Sequence, residues 1–382
     1  MRFSIFASAL VAVLVGFGGT LALVVAAAHR LGADGAEVAS WVGALCFGIG
    51  VSSIVLSWWT RIPVVTAWSL AGAVLIAGLP QGITMRQAVG AFLLSGALMV
   101  LSGAVPALGA LVARLPAPIG AAMLAGLLLR FVLAMFQSAQ VEPGLVLPLL
   151  GVFLVARRVH AASAPLLVLA LGLPFAWVLG HDLPAPAFGL AWPVWTTPEF
   201  VPSVLVGLGI PLFLVTMATQ QIPGSAVLRV AGYVPPVRRA LLVTGALTLL
   251  TAPFGGYSTN MSSVTAAICT GVDAHPDPRE RWRTGQVYGA LYLVLALFGA
   301  GFAAMLAGLP AALVAVVAGA ALLGPLTNAF AAAVGDARQR FAAVMAFGVT
   351  ASGITLLGLG GAFWGLVAGV VVVGTEGVWR RR

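Results

Sequence analysis

The sequence has no lysine, two cysteines and ten acidic residues among 382. Only 8% of it is charged, whereas a water-facing surface is about a quarter to a third charged. Soluble folds are therefore excluded. What fills the chain is 61% hydrophobic residues at a mean hydropathy of +1.09, the composition of an integral membrane protein in a lipid bilayer. All nineteen basic residues are Arg, which reads as genome composition. A pI near 11.1 would suggest nucleic acid in a soluble domain, but these Arg residues recur singly or in small groups between apolar runs, so no nucleic-acid patch is expected. Cys46 and Cys269 both lie inside apolar segments, which argues for free, buried thiols. No GxxxxGK[ST] loop occurs, no His or Cys spacing suits a metal, and no cofactor is expected. The first apolar run, Phe3 to Ala28, is too long for the core of a signal peptide.

A helix needs about 20 residues to cross the hydrocarbon core. Twelve clear apolar runs start near residues 4, 37, 87, 118, 144, 163, 201, 238, 284, 310, 340 and 361, and two short ones cover Ile62 to Leu79 and Gly256 to Gly271. Fourteen segments put both termini on one side. With that side cytoplasmic, sixteen Arg residues fall inside and only Arg30, Arg86 and Arg130 outside, as the positive-inside rule requires. Dropping one short segment reverses every later loop, so both must cross or turn the chain.

The halves resemble each other. Val15-Gly16-Phe17-Gly18 returns as Val206-Gly207-Leu208-Gly209, an offset of 191 residues, half of 382. Val65-Thr66-Ala67-Trp68-Ser69 answers Ser258-Thr259-Asn260-Met261-Ser262 at an offset of 193, and Pro118 answers Pro310 at 192. Seven segments per half is an odd number, so the second copy is expected to insert upside down, the inverted repeat of many secondary transporters. The expected fold class is an all-α integral membrane protein of fourteen transmembrane segments as a 7+7 inverted repeat. Segments 3 and 10 are part strand and part half-helix: the Pro-started, β-branched opening of Arg61 to Gly72 favours an extended stretch before a short helix, and Pro253 to Asn260 opens extended with a half-helix expected from Met261 onward. Irregular backbone at membrane depth is tolerated where protein or a cavity surrounds it, and half-helix N-termini suit an anionic group. The bland alternative is a pair of Gly-broken or re-entrant packing elements.

On Pro63 to Ser69, Thr251 to Gly256, Asn260, Ile268 to Gly271, Ala274-His275-Pro276-Asp277-Pro278 and Arg281-Trp282, the chain resembles the BenE family of benzoate:proton symporters along essentially its whole length. The resemblance implies a uracil-transporter and SLC26-like fold, importing benzoate or a similar aromatic carboxylate by alternating access with protons as cosubstrate, in the bacterial inner membrane with both termini cytoplasmic. It implies a core domain of residues 1–110 (segments 1–4) and 200–307 (segments 8–11), and a gate domain of residues 111–199 (segments 5–7) and 308–382 (segments 12–14). It also implies that segments 3 and 10 bind substrate together with segments 1 and 8. Where the family often carries His after the Gly-Gly pair this chain has Tyr257, and the carboxylates that nucleobase relatives carry on segments 8 and 10 are missing. All ten acidic residues fall at segment ends or in loops, so the acid either brings its own proton or the proton is held elsewhere.

For such a substrate the carboxylate is placed on the N–H groups following Thr66 and Thr259, helped by Ser69, Asn260 or Ser262. The ring is placed among Phe17, Trp68, Tyr257 and Met261, beside Ala67. Asn260 either touches substrate or caps the helix and ties segments 3 and 10 together; Phe17 and Trp68 either line the site or pack. Pro211 is expected to turn Thr216, Thr219 and Gln220 inward. Arg130 either draws the anion or snorkels to the outer interface. His275 reads as a loop residue. Gly365 and Gly369 form a GxxxG pair that packs within the gate or against a second copy in a homodimer. Rival functions are transport of another planar solute such as a nucleobase, an anion channel or, least favoured, a membrane enzyme.

Overall fold

The computed structural model describes residues 3–18, 20–105, 117–159, 164–181, 190, 192–356 and 360–379, with the side chains of 117, 299–300, 302–307 and 376–379 outside that description. Among the described residues, seven helices are long and apolar enough to cross a membrane: Phe3–Arg30, Gly35–Thr60, Met85–Ala104, Pro118–Val141, Pro202–Val230, Val237–Phe254 and Ala311–Gly335. With the remaining helices they make up fourteen segments. Segment 1 is Phe3–Val13 and Leu21–Arg30, joined through a π-helical turn at Leu14–Gly18. Segments 2 and 4 are Gly35–Thr60 and Met85–Ala104. Segment 3 between them is strand β1, Thr66–Trp68, followed by the half-helix Leu70–Ala77. Segments 5, 6 and 7 are Ala117–Val141, Pro143–Val159 and Ala164–Val178.

The second half repeats the plan. Segment 8, Pro202–Val230, carries π-helical turns at Leu205–Gly209 and Met217–Gln221. Segment 9 is Val237–Thr251, segment 10 is strand β2, Thr259–Met261, plus the half-helix Val264–Thr270, and segment 11 is Trp282–Ala307. The half-helix of segment 10 begins at Val264, three residues after the start expected at Met261, which belongs to the strand. Segments 12, 13 and 14 are Ala311–Gly335, Arg340–Ser352 and Gly361–Trp379.

Local chemistry sets the boundaries. Capping boxes of Asp34 with Glu37 and Thr84 with Gln87 open segments 2 and 4. Segment 2 stops at Arg61, which adopts a left-handed φ of 56° with its guanidinium 4.2 Å from the centre of the Trp282 ring. Pro63 then keeps the chain extended into β1. Segment 9 runs into a 3-10 turn at Ala252–Phe254 and stops at Gly255, φ 94°, where an added Cβ would also lie 2.8 Å from Trp41.

Packing divides the segments into two groups. In the first, segment 2 lies along 11 and segment 9 along 4, with 1 and 8 against the half-helices; in the second, 5 packs on 12 and 13, and 6 on 7. Segment 2 corresponds to 9 and segment 4 to 11, so the two long contacts are one contact made twice. Each relies on glycine: a Cβ on Gly289 would come within 2.6 Å of the Gly50 carbonyl, and one on Gly245 within 2.8 Å of the Val100 nitrogen. The principal contacts between groups are segments 3 and 8 on 5, 1 on 7 and 12, and 8 on 14.

Candidate functional site

β1 and β2 pair antiparallel with Thr66 opposite Met261, Ala67 opposite Asn260 and Trp68 opposite Thr259. Ser262 N donates to Val65 O at 3.1 Å. Because hydrogen-bonded and non-bonded pairs alternate in an antiparallel ladder, Ala67 and Asn260 form the next mutually bonded pair. The N–H groups following Thr66 and Thr259 are therefore used within the ladder. The outward N–H groups are taken by side chains: Thr66 N by Ser53 Oγ at 3.0 Å, Thr259 N by Thr248 Oγ1 at 2.9 Å and Met261 N by Gln221 Oε1 at 3.0 Å. Each strand is thus pinned to the long helix before it, segment 2 or 9.

Beyond the strands, the half-helices meet a cavity of about 630 Å³ between the two packing groups. On one side it is lined by Leu70 and Ala71 of segment 3, Thr219 and Gln220 of segment 8, and Ser263 and Val264 of segment 10. The far wall comes from segments 5 and 12, including Gly120, Pro325 and Asn328, with Leu366 of segment 14. The first-turn N–H groups of Leu70 and Ala71 have no carbonyl one turn back to bond, so the positive end of that half-helix meets the cavity.

The residues singled out in the sequence divide into cavity walls and framework. Thr219 and Gln220 line the cavity, with Thr219 Oγ1 bonded to Val215 O at 2.7 Å. The Thr66 hydroxyl meets Ser52 Oγ at 2.6 Å and Ser53 Oγ at 2.9 Å, and it donates to Ile49 O at 3.1 Å. Ser69 caps its half-helix through Gly72 N at 3.0 Å and accepts from Thr216 Oγ1 at 3.0 Å. Asn260 is fully buried. Oriented by its neighbours, its oxygen accepts from Ser69 N at 3.1 Å and Ser258 Oγ at 3.2 Å, and its nitrogen donates to Met261 O at 3.3 Å. This is the tie between segments 3 and 10. Ser262 Oγ accepts from Thr265 N at 3.3 Å, and Ala67 is half-buried between these anchors.

The four ring-slot residues do not share one slot. Phe17 and Trp68 meet as tilted rings with centroids 5.8 Å apart beside Tyr292, and Trp68 Nε1 donates to Thr20 Oγ1 at 2.9 Å. Tyr257 lies among Trp41 and Phe92, with its hydroxyl bonded to Ser69 O at 3.0 Å. Met261 packs elsewhere, with Leu56, Val64 and Leu228. Tyr288 and Tyr292, which no sequence argument singled out, complete the cluster: Tyr288 donates to Thr66 O at 2.9 Å. Two aromatics one turn apart on segment 11 were the available signal.

The other candidates have structural settings. The Arg130 guanidinium is no part of the cavity lining and lies against Gly353, where a Cβ would come within 3.0 Å of it. His275 Nδ1 accepts from Asp277 N at 3.1 Å within its loop. A Cβ on Gly365 would crowd Ala346 O at 2.8 Å, and one on Gly369 would crowd Ile119 at 2.8 Å, so the pair packs against segments 13 and 5. Cys46 and Cys269 are free and buried. Among the described residues, no group of three or more His, Cys, Asp or Glu side chains converges as a metal site.

A helical membrane bundle whose two interrupted segments pair strand to strand and open onto a cavity between two packing groups defines a membrane transporter, not an enzyme. Residues 1–375 match the family described as benzoate membrane transport protein, BenE, and the chain belongs to that family. It is 40% identical to the inner membrane protein YdcO of Escherichia coli (strain K12) over 94% of this chain and 92% of that protein. It is 33% identical, over the same shares, to the benzoate membrane transport protein of Acinetobacter baylyi (strain ATCC 33305 / BD413 / ADP1). The fold matches the transmembrane domain of the cyanobacterial bicarbonate transporter BicA at a TM-score of 0.63, with 15% identity, covering 97% of this chain and 98% of that one.

Proposed function

We propose that this protein imports benzoate or a similar aromatic carboxylate across a bacterial inner membrane by proton symport, with both termini cytoplasmic. Segments 1–4 and 8–11 act as the core domain (residues 1–110 and 200–307) and segments 5–7 and 12–14 as the gate (residues 111–199 and 308–382), alternating access by moving against each other. The observation that carries this reading is the position of the cavity, between the two groups and against the first turns of both half-helices. There the carboxylate meets the N–H groups of Leu70 and Ala71 and the Ser263 hydroxyl, and the ring rests on the apolar wall of segment 5. This shifts the anion one step along the chain from the strand amides, which the ladder occupies. Among the described lining residues none carries an ionisable side chain, so the proton either enters on the cargo as its carboxylic acid or is held outside this lining while the anion binds, and in both cases uptake rises as the outer pH falls.

Labelled benzoate accumulating in proteoliposomes, undiminished by excess uracil, is the expected result; competition by uracil would transfer the reading to nucleobases, and flux that never accumulates would transfer it to a channel. Ser263→Ala should raise the KM for benzoate several-fold. Lumenal pH should move with substrate, and a constant pH would leave uniport.

A further inference from the structure

The cavity holds two carboxamides that the protein leaves without partners. Gln220 on segment 8 and Asn328 on segment 12 both line it, and among the described residues neither side chain has a hydrogen bond to protein. Their neighbours behave otherwise. Gln221 is buried and its Oε1 accepts from Met261 N at 3.0 Å, leaving only its Nε2 unpartnered, and Thr327 bonds its own helix at Leu323 O, 2.8 Å away. Asn328 is also out of keeping with its helix, Ala311–Gly335, whose other residues are apolar or small apart from Thr327. Asn is a poor helix former, and an amide at membrane depth is tolerated when it meets a partner or a water-filled cavity.

The wall that Asn328 belongs to faces the half-helix ends, and segment 12 supplies no other polar side chain to the lining. A benzoate whose carboxylate sits on the opposite wall presents the far edge of its ring toward segment 12. The volume of about 630 Å³ falls within the range of drug-sized ligand sites and exceeds the need of one unsubstituted ring. A carboxamide both donates and accepts, so it satisfies a phenolic hydroxyl completely: its oxygen takes the O–H and its N–H reaches the hydroxyl oxygen.

We propose that Asn328 is a specificity-determining residue which hydrogen-bonds a hydroxyl substituent on the ring, so that the transporter favours hydroxylated aromatic carboxylates over benzoate itself. The inference rests on the aromatic-carboxylate reading above. A net hydrogen bond of this kind corresponds to about a tenfold preference.

The test is competition for uptake into proteoliposomes by benzoate and by its 2-, 3- and 4-hydroxy derivatives, with wild type and Asn328→Leu. At least one hydroxybenzoate should have a KM about tenfold below that of benzoate in the wild type, and Asn328→Leu should bring the ratio to near one. Asn328→Gln, which keeps the carboxamide, should restore part of the preference. Thermal shifts of the purified variants in detergent with each acid give the same ratio if uptake is too slow to measure. A wild type that takes benzoate but prefers no hydroxylated acid overturns this inference and leaves the transport reading standing. A ratio unchanged by Asn328→Leu, whether both acids weaken equally or neither does, also overturns it. Uptake of none of these acids by the wild type overturns both.

Discussion

The two interrupted segments share a backbone plan but differ in how their polar groups are used. In segment 3 every hydroxyl near the turn is engaged: Thr66 in three contacts, and Ser69 with both Gly72 N and Thr216. In segment 10 the equivalent Thr259 hydroxyl is buried with no partner, and Ser263 precedes its half-helix without capping it. The far ends, by contrast, are held alike: Arg30 Nε donates to Leu79 O at 2.6 Å and Arg281 Nη1 to Thr270 O at 2.7 Å, each placing a cation at a half-helix C-terminus. The two segments thus share a scaffold and differ in how far the protein itself pairs their hydroxyls. Segment 3 keeps its hydroxyls paired within the protein while Leu70 and Ala71 of its first turn line the cavity, and segment 10 brings Ser263 to the same cavity.

This contrast can be broken in three places. Thr66→Val removes a hydroxyl that satisfies Ser52 and Ser53 and should cost about 2 kcal/mol in reversible unfolding from detergent micelles. Ser69→Ala should cost about 1 kcal/mol, the usual loss on deleting a helix cap, and should leave the Thr216 hydroxyl without its acceptor. Thr259→Val replaces an unpartnered hydroxyl with a methyl of similar shape and should change stability by less than about 0.5 kcal/mol, or raise it. Equal losses for Thr66→Val and Thr259→Val would mean that the two copies are equivalent after all.

Much of the fold was legible because its signals are local. Apolar runs read from the chain begin within about two residues of the helices, since hydrocarbon thickness and capping both act over a few residues. The 193-residue offset between Thr66 and Thr259 reappears in the spacing of the strands themselves. The π-helical turns at Leu14–Gly18 and Leu205–Gly209 were not read, although they coincide with the Val-Gly repeats that revealed the duplication. The shared ring slot was assembled by proximity in sequence and ignored direction: alternate strand residues face opposite ways, so Thr66 and Trp68 lie on one face of β1 and Ala67 on the other. Asn328 was missed because it lies outside the interrupted segments. A lone amide three residues after Pro325 in an otherwise apolar helix was the signal.

The sequence by itself determined that the chain lives in a bilayer, that its two halves carry matching motifs, and where each half breaks its third helix, because solvent, charge and backbone propensity are read residue by residue. Tertiary structure decided which polar groups are available. Tyr257 reaches Ser69 across 188 residues, Tyr288 reaches Thr66 across 222 and Thr216 reaches Ser69 across 147, and each such bond removes a donor or acceptor that the sequence alone presents as free. Buried polar groups must be paired, and only the folded chain shows which were paired by the protein and which were left to its cargo.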